Sequence, residues 1–124
     1  MLNVVLVFAG GGIGASMRYW MEAAVQRLTG SVFPYGTYAV NSLGCLVIGV
    51  LMTTLEDRFL INPPLRAFLT VGILGGFTTF STFSFETIAM LRNAEYFYAT
   101  ANVCLTLFTC LGATYAGTVI GRIV

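Results

Sequence analysis

Eleven charged side chains, six arginines and five acids, punctuate this 124-residue chain, and the stretches between them decide what it can fold into. Residues 1–17, 28–55, 67–85 and 96–121 carry no charge over 17, 28, 19 and 26 positions. A helix crossing a hydrocarbon slab of ~30 Å needs about 20 mostly apolar residues. Four spans fit, and almost nothing is left over. With 57% hydrophobic and 9% charged residues, the chain cannot dress a water-facing surface. It reads as an all-α integral membrane protein, a single membrane domain over 1–124 with transmembrane helices at about 2–28, 37–55, 66–91 and 96–122.

Composition narrows the chemistry. There is no histidine, which removes zinc, haem and imidazole acid–base sites. No segment remains for an aqueous catalytic domain and no nucleophile stands beside a base, so an enzyme is not expected. Cys45, Cys104 and Cys110 lie inside apolar windows in odd number, and read as small buried residues rather than a disulfide framework. A net charge of +1 offers nucleic acid no basic patch. The N-terminus lacks a basic region and a cleavage site, so it reads as an uncleaved first helix.

Within the first span, Gly10, Gly11, Gly12 and Gly14 permit close helix packing. The same glycines mimic a dinucleotide-binding turn, but the acidic residue and alternating strands that fold needs do not follow. Arg18 and Glu22 stand four apart, where they can neutralise each other near the headgroups. Pro63 and Pro64 place the start of the third helix just before Arg66.

Four spans put both termini on one side of the membrane. That side, with the second loop, holds Arg58, Arg66 and Arg122; the other holds Arg27 and Arg92, with Arg18 leaning toward it. Arginine bias sets orientation, so a near tie predicts insertion either way round and pairing of opposite copies about an in-plane two-fold axis. A slight bias favouring one orientation is the alternative.

The most unusual stretch is Gly75-Gly-Phe-Thr-Thr-Phe-Ser-Thr-Phe-Ser-Phe-Glu86. Adjacent glycines followed by two β-branched threonines are poor helix material at the centre of span three, and backbone groups freed in lipid cost several kcal/mol unless satisfied. A break here needs partners for its carbonyls. Either nearby hydroxyls supply them, or carbonyls from two opposed copies converge on a hard cation such as Na⁺. Beyond the break, Phe80 and Phe83 share a face among the hydroxyls of Ser81, Thr82 and Ser84. Two ring edges aimed at one point attract an anion weakly, which is what conduction requires. Asn41 on span two adds an amide donor. Asn102, Thr106, Cys110 and Thr114 on span four recur every four residues, one polar stripe. Each of these residues has a packing role as its plain alternative. Glu86, the one acid well inside span three, belongs either at the mouth of a pathway or at the interface beside an arginine.

These residues resemble a known family, the small bacterial Fluc (CrcB-type) fluoride channels. The resemblance runs along essentially the whole chain, through Gly14-Ala-Ser-Met-Arg18, Gly36-Thr-Tyr-Ala-Val-Asn-Ser-Leu-Gly44 and the stretch from Gly75 to Glu86. It implies a fluoride-selective channel in the bacterial inner membrane, giving passive export and resistance to fluoride. It also implies a dual-topology antiparallel homodimer with a central, structural, non-transported Na⁺. Carried onto this chain, the cation ligands are the carbonyls of Gly75 and Thr78, and the ring edges are Phe80 and Phe83. Asn41 is then the amide donor, and Ser81, Thr82, Thr106 and Thr114 the hydroxyl track. Some members carry Tyr and Ser where this chain has Asn102 and Cys110. The competing reading is a small dual-topology proton-coupled multidrug exporter, which needs a deep carboxylate; Glu22 is the candidate in span one. A third is a non-transporting assembly subunit.

Overall fold

The computed structural model describes residues 1–58 and 62–124, residues 57 and 58 by their backbone alone. Helix α1 (Leu2–Thr29) includes the glycine run, so the stretch that mimics a dinucleotide turn contains no strand. It stops at Gly30, whose φ of 54° is the left-handed geometry a glycine tolerates, with the Gly30 N–H on the Gln26 carbonyl. The Gln26 side chain closes the loop, donating to the Ser31 carbonyl at 2.8 Å and accepting from the Gly36 N–H at 3.2 Å. Helix α2 (Tyr35–Arg58) follows. Residues 59–61, in the second loop, lie outside the described residues.

The third span starts earlier than the prolines suggested. Helix α3 (Pro63–Ala67) takes both prolines into its first turn, where a missing N–H has no helical acceptor to lose, and Asn62 Oδ1 caps it by accepting from the Leu65 N–H at 3.0 Å. The chain then widens into a π-helical segment (Phe68–Leu74) and returns to one α turn, α4 (Gly75–Phe77). Thr78 and Thr79 are extended, with ψ of 157° and 111°, and α5 (Phe80–Arg92) resumes beyond them. The break thus falls on the threonines, while the two glycines stay helical. A turn with Ala94 at φ 59° leads into α6 (Tyr96–Ile123).

Among the described residues, four segments are long and apolar enough to cross a membrane: Leu2–Thr29, Tyr35–Glu56, Pro63–Arg92 and Tyr96–Ile123. The interior is thin, with Val40 and Asn102 the largest fully buried side chains, while many large apolar residues face outward as a lipid solvent favours. Two pairings dominate, α1 on the first half of span three and α2 on α6. The first rests on glycines. A Cβ at Gly10 would lie 2.7 Å from the Phe68 carbonyl oxygen, and one at Gly14 would collide with the Ile73 carbonyl, so these backbones touch directly.

Candidate ion pathway

The break costs span three several backbone hydrogen bonds, and neighbouring side chains replace some of them. Arg18 on α1 donates through Nε to the Gly76 carbonyl at 3.1 Å. The guanidinium turns to the break and leaves Glu22 Oε1 buried without a hydrogen-bond partner among the described residues, but its charge still acts on that carboxylate, as their spacing suggests. Asn41 on α2 clamps Thr79 from both ends of its amide, Nδ2 donating to the Thr79 carbonyl at 2.9 Å and Oδ1 accepting its N–H at 2.7 Å. The Thr79 hydroxyl caps α5, accepting the Thr82 N–H at 3.2 Å and donating to Thr82 Oγ1 at 3.0 Å, with Ser81 Oγ at 3.3 Å. Thr78 folds back, its N–H at 3.0 Å and its hydroxyl at 3.1 Å from the Leu74 carbonyl.

Four carbonyls, those of residues 75–78, lose their usual helical donors by this arrangement, and Arg18 replaces the one at Gly76. In an unbroken helix the Thr79 N–H would serve Gly75 and the Thr82 N–H would serve Thr78; here those N–H groups go to Asn41 Oδ1 and Thr79 Oγ1. Gly75 and Thr78 both line an open groove of about 610 Å³ between α2, span three and α6. Asn41, Phe80, Phe83, Thr106, Cys110 and Thr114 share that groove. The Phe80 and Phe83 ring centroids are 5.4 Å apart at 47°. Phe80 is 79% exposed in the single chain, so one wall of the groove is open.

The polar stripe of α6 divides. Thr106 and Thr114 reach the groove, but Asn102 does not line it. Asn102 is fully buried between α5 and α6, its Nδ2 donating to Thr87 Oγ1 at 3.0 Å and its Oδ1 accepting from Thr106 Oγ1 at 3.4 Å. Ser81 and Thr82 stay at the break rather than lining the groove. Glu86 faces a second cavity, about 600 Å³, with Glu22 and Glu95 at the end where the first and third loops lie. Its Oε1 accepts from Thr37 Oγ1 at 2.8 Å, and its Oε2 is buried with no partner among the described residues. Thr37 and Asn41, one turn apart on α2, therefore hold Glu86 and Thr79 at two levels of α5.

The chain matches the family profile described as CrcB-like protein, Camphor Resistance (CrcB), over residues 5–118. It belongs to the CrcB family. Among relatives, proteins named fluoride-specific ion channel FluC are 42% identical in Geotalea uraniireducens and 41% in Geobacter sulfurreducens, each over 98% of both chains. One of the same name in Phocaeicola vulgatus is 47% identical over 77% of this chain and 78% of its own. The family is one of ion channels rather than enzymes, and this member is a multi-pass membrane protein.

For this CrcB-family chain, several partners at the break escape sequence reasoning. Thr37 and Thr87 are among them, and so is the capping role of Thr79, although a Thr immediately before a helix three residues ahead of another hydroxyl is a capping signal. Thr37 and Thr87 carry no such local mark. The π-helical segment has none either.

Proposed function

We propose that the chain is a passive, fluoride-selective channel that exports fluoride across the bacterial inner membrane. The relatives that share its whole length carry that name. The observation that carries the reading is the groove itself, where Phe80, Phe83, several hydroxyls and the Asn41 amide stand among apolar side chains with no full charge on the wall. Fluoride is small and strongly hydrated. Close neutral donors offset its lost water, whereas a fixed cation would trap it. Hydrogen fluoride entering from acid surroundings ionises in the neutral cytoplasm, and an inside-negative potential drives the anion out through a pore.

The working unit in this reading is an antiparallel homodimer. Its support is the open side of the groove: a mostly apolar wall carries Asn41, Thr106 and Thr114 beside a bare Phe80 ring, and a second protein surface would close it into a track. The same pairing accounts for the near tie in arginines. Opposed copies would bring four donor-poor carbonyls together, Gly75 and Thr78 from each, and these fit a hard monovalent cation. A structural Na⁺ there would hold the two broken helices together at the two-fold axis. Glu86 would stand at the mouth, held by Thr37.

Fluoride efflux from liposomes with purified protein tests the reading. Fluoride flux far above chloride flux is expected, lost in Phe80→Ile and Phe83→Ile while dimers persist; equal chloride flux, or none for fluoride, overturns it. Accessibility labelling of single cysteines should find both orientations in one membrane. A single orientation would sink the antiparallel dimer. Replacing Na⁺ by a large organic cation should lower dimer stability if the carbonyls hold it.

A further inference from the structure

The structure assigns Cys45 and Cys110 as a two-thiol site for a soft monovalent metal ion, Ag(I) or Cu(I), set in the wall of the groove. Cys45 lies on α2 and Cys110 on α6, and both line the groove beside Phe80, Phe83, Thr106 and Thr114. Each thiol is free. The side-chain neighbours of Cys110 include the Cys45 thiol and the Ser42 hydroxyl. One turn beyond the cysteines, a Cβ on Gly49 would collide with the Thr114 carbonyl, so α2 and α6 run at glycine-limited spacing here. Near the other side, the Tyr38 and Thr109 hydroxyls meet at 2.7 Å and fix the register. Two thiols on adjoining helices held from both ends are a preformed pair, not two independent cysteines.

Soft sulfur ligands select soft metals, and two thiolates suffice for a d¹⁰ monovalent ion. Binding removes one proton from each S–H to water in the groove and forms two S–Ag bonds, with no electron transferred. The product bears one net negative charge, two thiolates and one Ag⁺. The Ser42 hydroxyl is buried with no hydrogen-bond partner among the described residues, and it stands ready to donate to the newly charged Cys110 sulfur. An anionic complex in the wall both narrows the groove and repels an anion inside it. The third cysteine, Cys104, is exposed on α6 and lies outside the groove.

The site itself stands on the thiol geometry; its effect on flux rests on the channel reading above. The test uses the full-length protein and silver nitrate in chloride-free buffer, with two readouts. The first is equilibrium binding of Ag⁺ to the Cys104→Ser protein, read as metal per chain. The second is fluoride efflux, scaled to each variant's own metal-free rate. One Ag⁺ per chain is expected, with efflux falling at least tenfold and returning on addition of dithiothreitol. Cys45→Ser and Cys110→Ser should each raise the half-blocking concentration at least tenfold. Where either variant folds poorly, protection of the Cys45 and Cys110 thiols of the Cys104→Ser protein from maleimide by Ag⁺ reads the same site.

Binding that survives both substitutions, or silver that leaves both thiols open to maleimide, overturns the site. Silver bound as expected with efflux unchanged overturns its placement in the conducting wall. No fluoride efflux before silver is added, with one Ag⁺ still bound per chain, overturns the channel reading and upholds the site.

Discussion

The two halves of span three are held in opposite ways. The half before the break, α3 to α4, is pressed against α1 with backbone touching backbone at Gly10 and Gly14. The half after it, α5, is held by side chains: Asn41 on Thr79, Thr37 on Glu86, and Asn102 on Thr87, whose hydroxyl donates to the Phe83 carbonyl at 2.8 Å. The first half is a matter of shape, which tolerates no added volume. The second is a matter of hydrogen bonds, each replaceable by a group of the right polarity. Arg18, on the Gly76 carbonyl, is the polar exception in the first half.

That contrast can be broken by substitution. Gly14→Val should have the largest effect, since its Cβ meets the Ile73 carbonyl and neither backbone can yield. A loss beyond the ~1–3 kcal/mol usual for overpacking is expected, visible as absence of a monodisperse peak in detergent. Asn41→Leu comes next. It strands the Thr79 N–H and carbonyl, at about 1–3 kcal/mol for each buried orphan, and thermal unfolding should record the drop while Asn41→Asp, which keeps the bond to the N–H, recovers part of it. Arg18→Met strands one backbone group, the Gly76 carbonyl, where Asn41→Leu strands two, and should lose about half as much in the same measurement. Gly12→Ala sharpens the comparison from the other side: nothing lies within 4 Å of the added Cβ, so stability should stay within about 0.5 kcal/mol. Equal damage from Gly12→Ala and Gly14→Val would end the distinction.

The sequence made the four helices legible because lipid leaves few options for a chain with so few charges. Gly10 and Gly14 were legible as packing residues for a related reason, since small residues repeated on a membrane helix have little else to do. The break in span three was foreseen, but its position within the motif was not. Glycine is weak in an isolated helix, yet Gly72 and Gly76 sit where α1 needs a bare backbone, and packing keeps them helical. The threonines break instead because Asn41 offers Thr79 the bonds a helix would have given. Spacing alone likewise joined Asn102 to Thr106 and Thr114. What separates them is Thr87 on α5, a partner distant in sequence whose hydroxyl draws Asn102 into the core. Arg18 was legible only in part, because its neighbour Glu22 is near in sequence and Gly76, which its Nε reaches, is not.

Thr79 has an amide, a carbonyl and a hydroxyl, and all of them are engaged. A residue so fully subscribed leaves evolution a single synonym: serine keeps every bond, whereas valine, with nearly the same outline, forfeits the cap of α5. At that position hydrogen bonding rather than room sets the limit on substitution.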